Sequence, residues 1–347
     1  MNCRDRVLDC IRFETPDRVP VGYNVNRRAL LKYGQPLVDL CGRCPNDFYD
    51  PGAVITIPAR DAAHYRSDGS YFKEETDAWG CEWAYYQEGI MGEVKRSPLA
   101  DWSALATYRV PPVPRRTAAE RSKARDEVSR QKERYIGWAS AGSLFEQMQW
   151  LRGVEALMED IAFDREEIYI LADRLVEEFL VPHIELGLEA GTDVVGFSDD
   201  WGTQRQLLIH PEAWRRIFRP RYQKLYDLVH QGGALAWLHS DGMILEIVPD
   251  LIEMGLDVLN PQLSCHDVAA LGRAAAGRLA LYGTLDYQRV MPFGTPEAVD
   301  AHVRDVTAML ASPKGGFMYG AGIQDDAPFA NIEAVMAAMA RYSFAAA

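Results

Sequence analysis

The feature that most constrains the fold is a regular alternation of short apolar runs with longer helical segments from residue 135 onward. Two earlier runs, at 19–24 and 53–59, bring the number of predicted strands to eight. Alternating βα units of this number predict an α/β fold, a single (β/α)8 TIM barrel. The six later runs are residues 135–140, 193–198, 234–239, 256–260, 279–283 and 316–320. Pro182, within a helical segment, is predicted to kink or interrupt that helix.

Between the second and third predicted strands the pattern changes. Residues 70–96 are rich in Tyr, Trp, Thr and Val and carry glycine at 80, 89 and 92, which predicts a β-hairpin insertion. The chain has no internal repeat, low-complexity tract or clear linker, so residues 1–347 are predicted to form one domain. The hairpin would be a lid or a dimer element, which is compatible with a homodimer.

Composition and charge narrow the class of function. The net charge of −13 repels phosphate backbones and anionic lipids, so we expect neither nucleic acid nor a membrane surface as partner. No apolar run approaches the roughly 20 residues that span a bilayer, and the N-terminus does not have the pattern of a signal peptide. The six cysteines are too scattered for a disulfide framework. We therefore expect a reduced, cytoplasmic enzyme that acts on a small molecule.

Polar residues follow most of the predicted strands, where a TIM barrel builds its active site. Two of them, Asp199 and Asp200, are adjacent acids that cannot easily both ionise in a dry pocket, so one is a candidate proton donor with a raised pKa. Alternatively, one of the two caps the following loop and only the other faces the cavity. The other strand-end residues are Asn24, Asn26, Ser140, His239, Asp241, Asn260, Gln262, Asp286, Tyr319 and Gln324.

The His239-Ser-Asp241 sequence has the character of a metal site, because both side chains can face one cavity. A zinc site needs a third ligand, and the only strand-end candidate is Cys265, five residues past Asn260. We therefore expect no metal, and His239 would form a hydrogen bond with an acid or with the substrate.

These motifs together are similar to those of the uroporphyrinogen decarboxylase superfamily, and the resemblance spans nearly the whole chain. They are Arg12-Phe-Glu-Thr-Pro-Asp-Arg-Val-Pro20, Gly142-Ser-Leu-Phe-Glu146 with Leu151-Arg-Gly153, Asp199-Asp-Trp-Gly-Thr-Gln204, His239-Ser-Asp-Gly242, Asp257-Val-Leu-Asn-Pro-Gln262, Tyr282-Gly-Thr-Leu-Asp286 and Ile323-Gln-Asp-Asp-Ala-Pro328. The resemblance implies a single barrel and one of two activities.

The true decarboxylases of the superfamily carry an arginine-rich N-terminal signature that binds substrate carboxylates. This chain has Val21-Gly-Tyr-Asn-Val-Asn-Arg27-Arg28 in that region instead. The other branch exchanges methyl groups with a corrinoid protein, and its thiol-specific members bind zinc through a His-x-Cys pair and a later Cys. Here Asp241 replaces the first Cys and Ala321-Gly322 stands at the later position, so zinc is not expected.

The resemblance therefore implies a methyltransferase without the thiol-type zinc site. Its cobalamin would be supplied by a partner corrinoid protein, and the small-molecule donor or acceptor of the methyl group would be tetrahydrofolate or a methylated compound. The catalytic residues would be Asp199, Asp200 and His239. The substrate-binding residues would be Asn24, Glu146, Gln204, Asp241, Asn260, Gln262, Asp286, Tyr319 and Gln324.

Two alternatives stay open from the sequence. The first is a decarboxylase or lyase that acts on a carboxylic acid, with Asp199 or Asp200 as the proton donor. The second is a barrel that binds a ligand without catalysis. Carbon dioxide release without cobalamin would favour the first, and a protein indifferent to Asp200→Ala and His239→Ala would favour the second.

Overall fold

A curled parallel sheet of seven strands forms the centre of the molecule. The computed structural model describes residues 1–344. In chain order the sheet contains β1 (Val21–Val25), β5 (Trp138–Gly142), β6 (Val194–Ser198), β7 (Leu235–Ser240), β8 (Val258–Pro261), β9 (Ala280–Thr284) and β10 (Phe317–Ile323). The strands are hydrogen-bonded in the order β1-β10-β9-β8-β7-β6-β5, and each pairing is parallel.

Helices lie between the strands and cover the outside of the sheet. They are α1 (Cys3–Ile11), α2 (Arg27–Tyr33), α3 (Gln35–Arg43), α4 (Pro51–Val54), α5 (Ala118–Lys132), α6 (Phe145–Arg152), α7 (Val154–Ala162), α8 (Glu166–Leu175), α9 (Val181–Ala190), α10 (Pro211–Ile217), α11 (Arg219–Gln231), α12 (Val248–Glu253), α13 (Val268–Ala275), α14 (Val290–Phe293), α15 (Pro296–Leu310) and α16 (Phe329–Tyr342). The predicted α/β barrel fold is therefore confirmed. No helix of the described part of the chain is long and apolar enough to cross a membrane.

The second predicted strand, at 53–59, is wrong. Asp50 caps a short helix by accepting a hydrogen bond from the Gly52 N–H at 3.0 Å, and Pro51 begins that helix. The gap beside β1 is partly filled by the segment 46–49, in which the Asp47 N–H donates to the Val21 carbonyl at 2.7 Å. Within the described residues β1 and β5 do not pair with each other, so seven strands form the curled sheet.

The predicted hairpin insertion is a three-stranded antiparallel sheet. Its strands are β2 (Lys73–Thr76), β3 (Glu82–Tyr85) and β4 (Glu93–Arg96), in the order β2-β3-β4. Trp83 anchors the insertion to the barrel, because its ring is buried against Trp150 of α6 with 5.5 Å between the centroids. The range was predicted correctly, but the third strand was not.

Pro182 interrupts the regular helix as expected. One turn of π-helix, Val176–Leu180, separates α8 from α9 and immediately precedes this proline. Proline lacks the N–H that an α-helix would use at this point, so the backbone widens by one residue and continues.

The strands position the site through the side chains that point into the barrel. Helix α1 closes the amino-terminal end with Val7, Leu8 and Ile11, which pack in one cluster with Val194 and Met318. The next inward positions along the strands are large aromatic residues, and the last are polar. A barrel filled in this way has a packed core at the amino-terminal ends of its strands and an open site at their carboxyl ends.

Candidate active site

A cavity of about 720 Å³ lies at the carboxyl ends of the barrel strands. Its size is typical of a small-molecule site. Among the described residues, those that line it include no lysine or arginine. The polar lining residues are Asn24, Ser140, Ser198, His239, Asp241, Asn260, Thr284, Tyr287 and Gln324, and the aromatic ones include Phe48, Tyr49, Trp138, Trp237 and Tyr282.

Asn260 fixes the orientation of His239. The Asn260 amide nitrogen donates to the Tyr282 carbonyl at 2.7 Å and to the Thr284 hydroxyl at 2.8 Å. The amide oxygen must therefore face His239, and it lies 2.8 Å from Nδ1. Because an amide oxygen only accepts, Nδ1 of the imidazole carries a proton, and Nε2 faces the cavity.

Two carboxylates face Nε2 of His239. Asp200 and Asp241 each lie 3.8 Å from Nε2 of His239. Asp200 is held by the backbone N–H of Asp241 at 2.8 Å, and Asp241 accepts a hydrogen bond from the Tyr287 hydroxyl at 3.0 Å. Burial raises the pKa of Asp241, while His239 opposes that shift.

The same three side chains could hold a cation. Asp200, His239 and Asp241 offer two carboxylate oxygens and one nitrogen that lie within 4.8 Å of one another. This mixed oxygen and nitrogen donor set suits a divalent ion rather than a thiolate-bound zinc. The expectation that no metal binds here stays a prediction.

Glu146, in the first turn of α6, has its protonation altered by burial and by nearby acids, although it is not among the lining residues of the cavity. Burial, followed by the negative charges of Asp199 and Asp200, raises the pKa of Glu146 to about 7. The Ser143 hydroxyl donates to its carboxylate at 3.0 Å. A substantial fraction of Glu146 is therefore protonated near neutral pH, which suits a proton donor.

Asp199 does not face the cavity, and its predicted role in proton transfer has to be corrected. Its side chain is fully buried and accepts hydrogen bonds from the N–H groups of Leu144 and Phe145 at 3.0 Å and of Glu146 at 2.9 Å. The Tyr222 hydroxyl donates to it as well. Leu144, at the N-cap of α6, has no capping side chain, so Asp199 caps this helix from the neighbouring strand end. Burial raises the pKa of Asp199 to about 6.

The loops that follow β6 and β7 are joined directly. A Cβ atom on Gly242, which has a φ of +80°, would lie 2.1 Å from the Gly202 carbonyl oxygen. The Gly202 N–H donates to the Asp241 carbonyl at 3.2 Å, and Ser240 accepts from the Trp201 N–H at 3.0 Å. The contact holds Asp200 and Asp241 at a fixed separation, and only glycine permits it.

Two predicted binding residues, Tyr319 and Asp286, lie outside the cavity. Tyr319 points outward from β10, is fully buried, and forms a hydrogen bond with Thr307 of α15. Asp286 turns back on its own loop and accepts from the N–H groups of Gln288 and Arg289, both at 2.9 Å. These side chains stabilise the scaffold.

Gln262 and Gln204 are also directed elsewhere. The Gln262 amide oxygen accepts a hydrogen bond from the Gly242 N–H at 2.9 Å, so this residue supports the joined loops. Gln204 is exposed on the loop after β6, and its amide oxygen lies 3.5 Å from the Cys265 sulfur. Neither side chain lines the cavity.

Five of the predicted residues line the cavity, Asp200 and Glu146 are not among its lining residues, and the structure adds several residues that were missed. Asn24, His239, Asp241, Asn260 and Gln324 line the cavity as expected. The missed lining residues include aromatic and hydroxyl-bearing side chains, among them Phe48, Trp138, Ser198, Trp237, Tyr282, Thr284 and Tyr287. A signal for some of them was present, because a side chain two residues before an inward residue of a strand also points inward.

Comparison with protein families gives one match over nearly the whole chain. The family model described as uroporphyrinogen decarboxylase (URO-D) matches residues 2–342. No curated protein matches the sequence.

Among solved structures, a methyltransferase from Methanosarcina mazei is similar over 99% of both chains, with 15% identity and a TM-score of 0.67. This likeness shows a shared fold. Two partial similarities have low TM-scores. A dihydropteroate synthase from Xanthomonas albilineans with 4-aminobenzoic acid has a TM-score of 0.34 and 12% identity over 57% of this chain and 65% of that one. The IOLI protein with a zinc atom has a TM-score of 0.32 and 14% identity over 65% and 92%.

Proposed function

The chain belongs to the uroporphyrinogen decarboxylase family, and from this premise we propose that it is a methyltransferase. In this proposal the enzyme moves a methyl group between a corrinoid carried by another protein and a small molecule such as tetrahydrofolate or a methylated compound. The cavity of about 720 Å³ accommodates the small molecule, and the corrinoid would approach the open mouth.

The observation that carries the proposal is the charge of the cavity. Asp241 lines it, Asp200 lies 3.8 Å from Nε2 of the lining His239, and the described lining residues include no lysine or arginine. A substrate with many carboxylates would be repelled by this lining and would find no cation to bind. The activity after which the family is named acts on such a substrate, so the methyl-transfer branch fits better.

The fold gives independent support. The methyltransferase from Methanosarcina mazei has the same barrel over 99% of both chains. A barrel of this fold is therefore compatible with methyl transfer, and the side chains of this cavity must supply the selectivity.

Glu146 and His239 can donate and accept the proton that methyl transfer requires. A heteroatom that loses its methyl group gains electron density and takes a proton, and one that accepts a methyl group gives a proton up. Glu146, with its pKa of about 7, can donate, and Nε2 of His239 can accept. The corrinoid would supply the cobalt to which the methyl group is transferred.

The cavity can also orient a ring with paired donors and acceptors. Asn24 and Gln324 both line the wall, and each amide offers one acceptor and one donor group. A pterin, which has both types of group along one edge, would be held in line by such contacts.

The experiment that tests the proposal follows the cobalt. The purified protein is mixed with methylcobalamin and tetrahydrofolate, or with reduced cobalamin and a panel of methylated compounds, and the cobalt absorbance is recorded. We expect enzyme-dependent conversion between methylated and reduced cobalamin that is lost in His239→Ala and retained in Phe293→Leu, which changes a side chain that is 83% exposed. The absence of conversion with every partner would refute the methyltransferase proposal.

A carboxy-lyase is the second candidate, and Glu146 favours it. A carboxyl group that stays protonated near pH 7 can also protonate the carbanion left by decarboxylation of a small acid. The two functions differ in their requirement for cobalamin. Release of carbon dioxide from a carboxylic acid without any corrinoid would favour the lyase.

A further inference from the structure

Aromatic rings form the floor of the cavity beneath the acidic mouth. Phe48, Trp138, Trp237 and Tyr282 all line it, and each has at least one of the others as a neighbour. The ring centroids are 5.1 Å apart for Trp138 and Trp237, 5.2 Å for Trp237 and Tyr282, and 5.2 Å for Phe48 and Tyr282. The four rings therefore form one continuous aromatic surface, which we call the aromatic floor.

The rings of the aromatic floor do not lie parallel to one another. The interplanar angles are 76° for Trp138 with Trp237, 89° for Phe48 with Trp237 and 82° for Phe48 with Tyr282. Rings that meet edge to face enclose a space from several directions rather than forming one flat wall. This is an arrangement that can surround a rounded group such as a trimethylammonium.

Small residues leave room above the rings. A Cβ atom on Gly196 would lie 2.2 Å from the Trp138 ring, and one on Gly320 would lie 2.4 Å from the Tyr282 ring. The absence of side chains at these inward positions lets both rings lie against the barrel wall. Trp138 keeps 41% of its surface exposed.

Negative charge completes the site. Asp241 lines the cavity, and Asp200 lies 3.8 Å from the same histidine nitrogen. A quaternary ammonium has no hydrogen-bond donor, so it is recognised by aromatic quadrupoles together with nearby carboxylates. Both elements are present in one cavity.

We propose that the cavity selects a small N-methylated ammonium cation, held by the aromatic floor and by Asp241. This inference rests on the proposed methyltransferase function, for which it names the class of methyl donor. It assigns Phe48, Trp138, Trp237 and Tyr282 as residues that determine specificity.

Methyl transfer from such a cation balances in atoms and charge. The bond between the methyl carbon and nitrogen breaks, and its electron pair stays on nitrogen. The methyl carbon forms its new bond with the methyl acceptor of the proposed reaction, the reduced cobalt of a corrinoid. The product amine leaves neutral, and because it is a base, Glu146 can supply the proton that returns it to the charged form.

The test compares a cation with a neutral molecule of the same shape. In 3,3-dimethylbutan-1-ol a neutral carbon atom replaces the charged nitrogen of choline, and the two molecules otherwise have the same shape. The binding of each to the purified full-length protein is measured by titration calorimetry without corrinoid. We expect choline to bind at least about tenfold more tightly, with the difference reduced by added salt. Equal affinities, tighter binding of flat, uncharged 1,2-dimethoxybenzene, or no binding of choline would overturn the proposal.

Variants locate the site. Trp138→Leu and Asp241→Asn should each weaken choline binding by about three- to tenfold and leave binding of the neutral isostere within about twofold. Phe293→Leu, at an exposed aromatic residue that is not among those lining the cavity, should change neither. Circular dichroism confirms that each variant is folded. If choline affinity is the same in all three variants, the aromatic floor is not the binding site and the proposal fails.

The binding result and the activity result can be separated. If choline binds as expected but no partner, N-methylated cations included, supports conversion between methylated and reduced cobalamin, the methyltransferase proposal fails while the cation site stands. If methyl transfer is observed only with uncharged donors and choline does not bind, the proposed function stands and the cation inference fails.

Discussion

Replacing Glu146 with glutamine should stabilise the protein at alkaline pH and leave it unchanged at acid pH. In the folded protein, burial and the charges of Asp199 and Asp200 raise the pKa of Glu146 from its ordinary value of 4.5 to about 7. Below pH 4.5 both the folded and the unfolded states hold the proton. As the pH rises from 4.5 through 7, the unfolded state loses the proton first, so the stability that the folded state gains from the protonated acid is lost.

The magnitude follows from the two pKa values. The difference between 4.5 and about 7 corresponds to about 3 kcal/mol of free energy. The side chain keeps some contact with solvent, which screens part of this, so we expect about 2 kcal/mol at pH 8.5. Glutamine has the same shape and no charge, so Glu146→Gln should be more stable than the native protein by that amount at pH 8.5. At pH 4 the two should agree within about 0.5 kcal/mol.

Urea unfolding followed by circular dichroism at pH 4, 6 and 8.5 measures the difference. Glu159→Gln is the matched control, because it makes the same change at an exposed position of α7 and should show little dependence on pH. A free-energy difference between Glu146→Gln and the native protein that stays constant from pH 4 to pH 8.5 would refute the reasoning. Such a result would mean that folding does not change the ionisation of Glu146.

Three further predictions test the placement of single residues. Asp199→Ala should lower the free energy of unfolding by about 3–5 kcal/mol, because it leaves buried donors without an acceptor, whereas Asp200→Ala should change it by less than about 1 kcal/mol; urea titration measures both. In the native protein, nitrogen NMR should show neutral His239 protonated on Nδ1, and Asn260→Leu should remove that preference. Tyr319→Phe should cost about 1 kcal/mol of stability through the lost bond to α15 and leave choline affinity unchanged within about twofold.

Much of the barrel could be predicted because its strands are continuous apolar runs between helical segments. All seven strands of the curled sheet were expected to within a few residues. The run at 53–59 had the same composition, but Pro51 after a capping Asp50 begins a helix that extends into the run as far as Val54. Pro58 removes a further backbone donor from the run. A local backbone preference therefore prevented strand formation where side-chain composition alone would have allowed it.

The candidate site was harder to predict because strands of a parallel barrel are apolar on both faces. In β6 and β10 the outward residues pack against helices and the inward ones fill the barrel, so hydrophobicity does not reveal which is which. Tyr319 was assigned to the cavity, but its side chain points outward to Thr307, and the next residue, Gly320, lines the cavity instead. The aromatic floor was missed for the same reason, since Trp237 and Tyr282 look like ordinary core residues in the sequence.

Knowing which way a single residue of the strand points would have been enough to decide which of the adjacent acids, Asp199 or Asp200, faces the cavity. Side chains alternate along a strand, so if Ser198 points inward, Asp199 points outward and Asp200 inward again. The structure follows this alternation: Ser198 lines the cavity, Asp199 caps a helix outside the barrel, and Asp200 faces His239. The same rule separates the next strand end, where Ser240 holds the neighbouring loop while His239 and Asp241 line the cavity. Both strand ends therefore pair an outward residue that fixes the scaffold with inward residues available for chemistry, and the joined loops bring the two inward sets together.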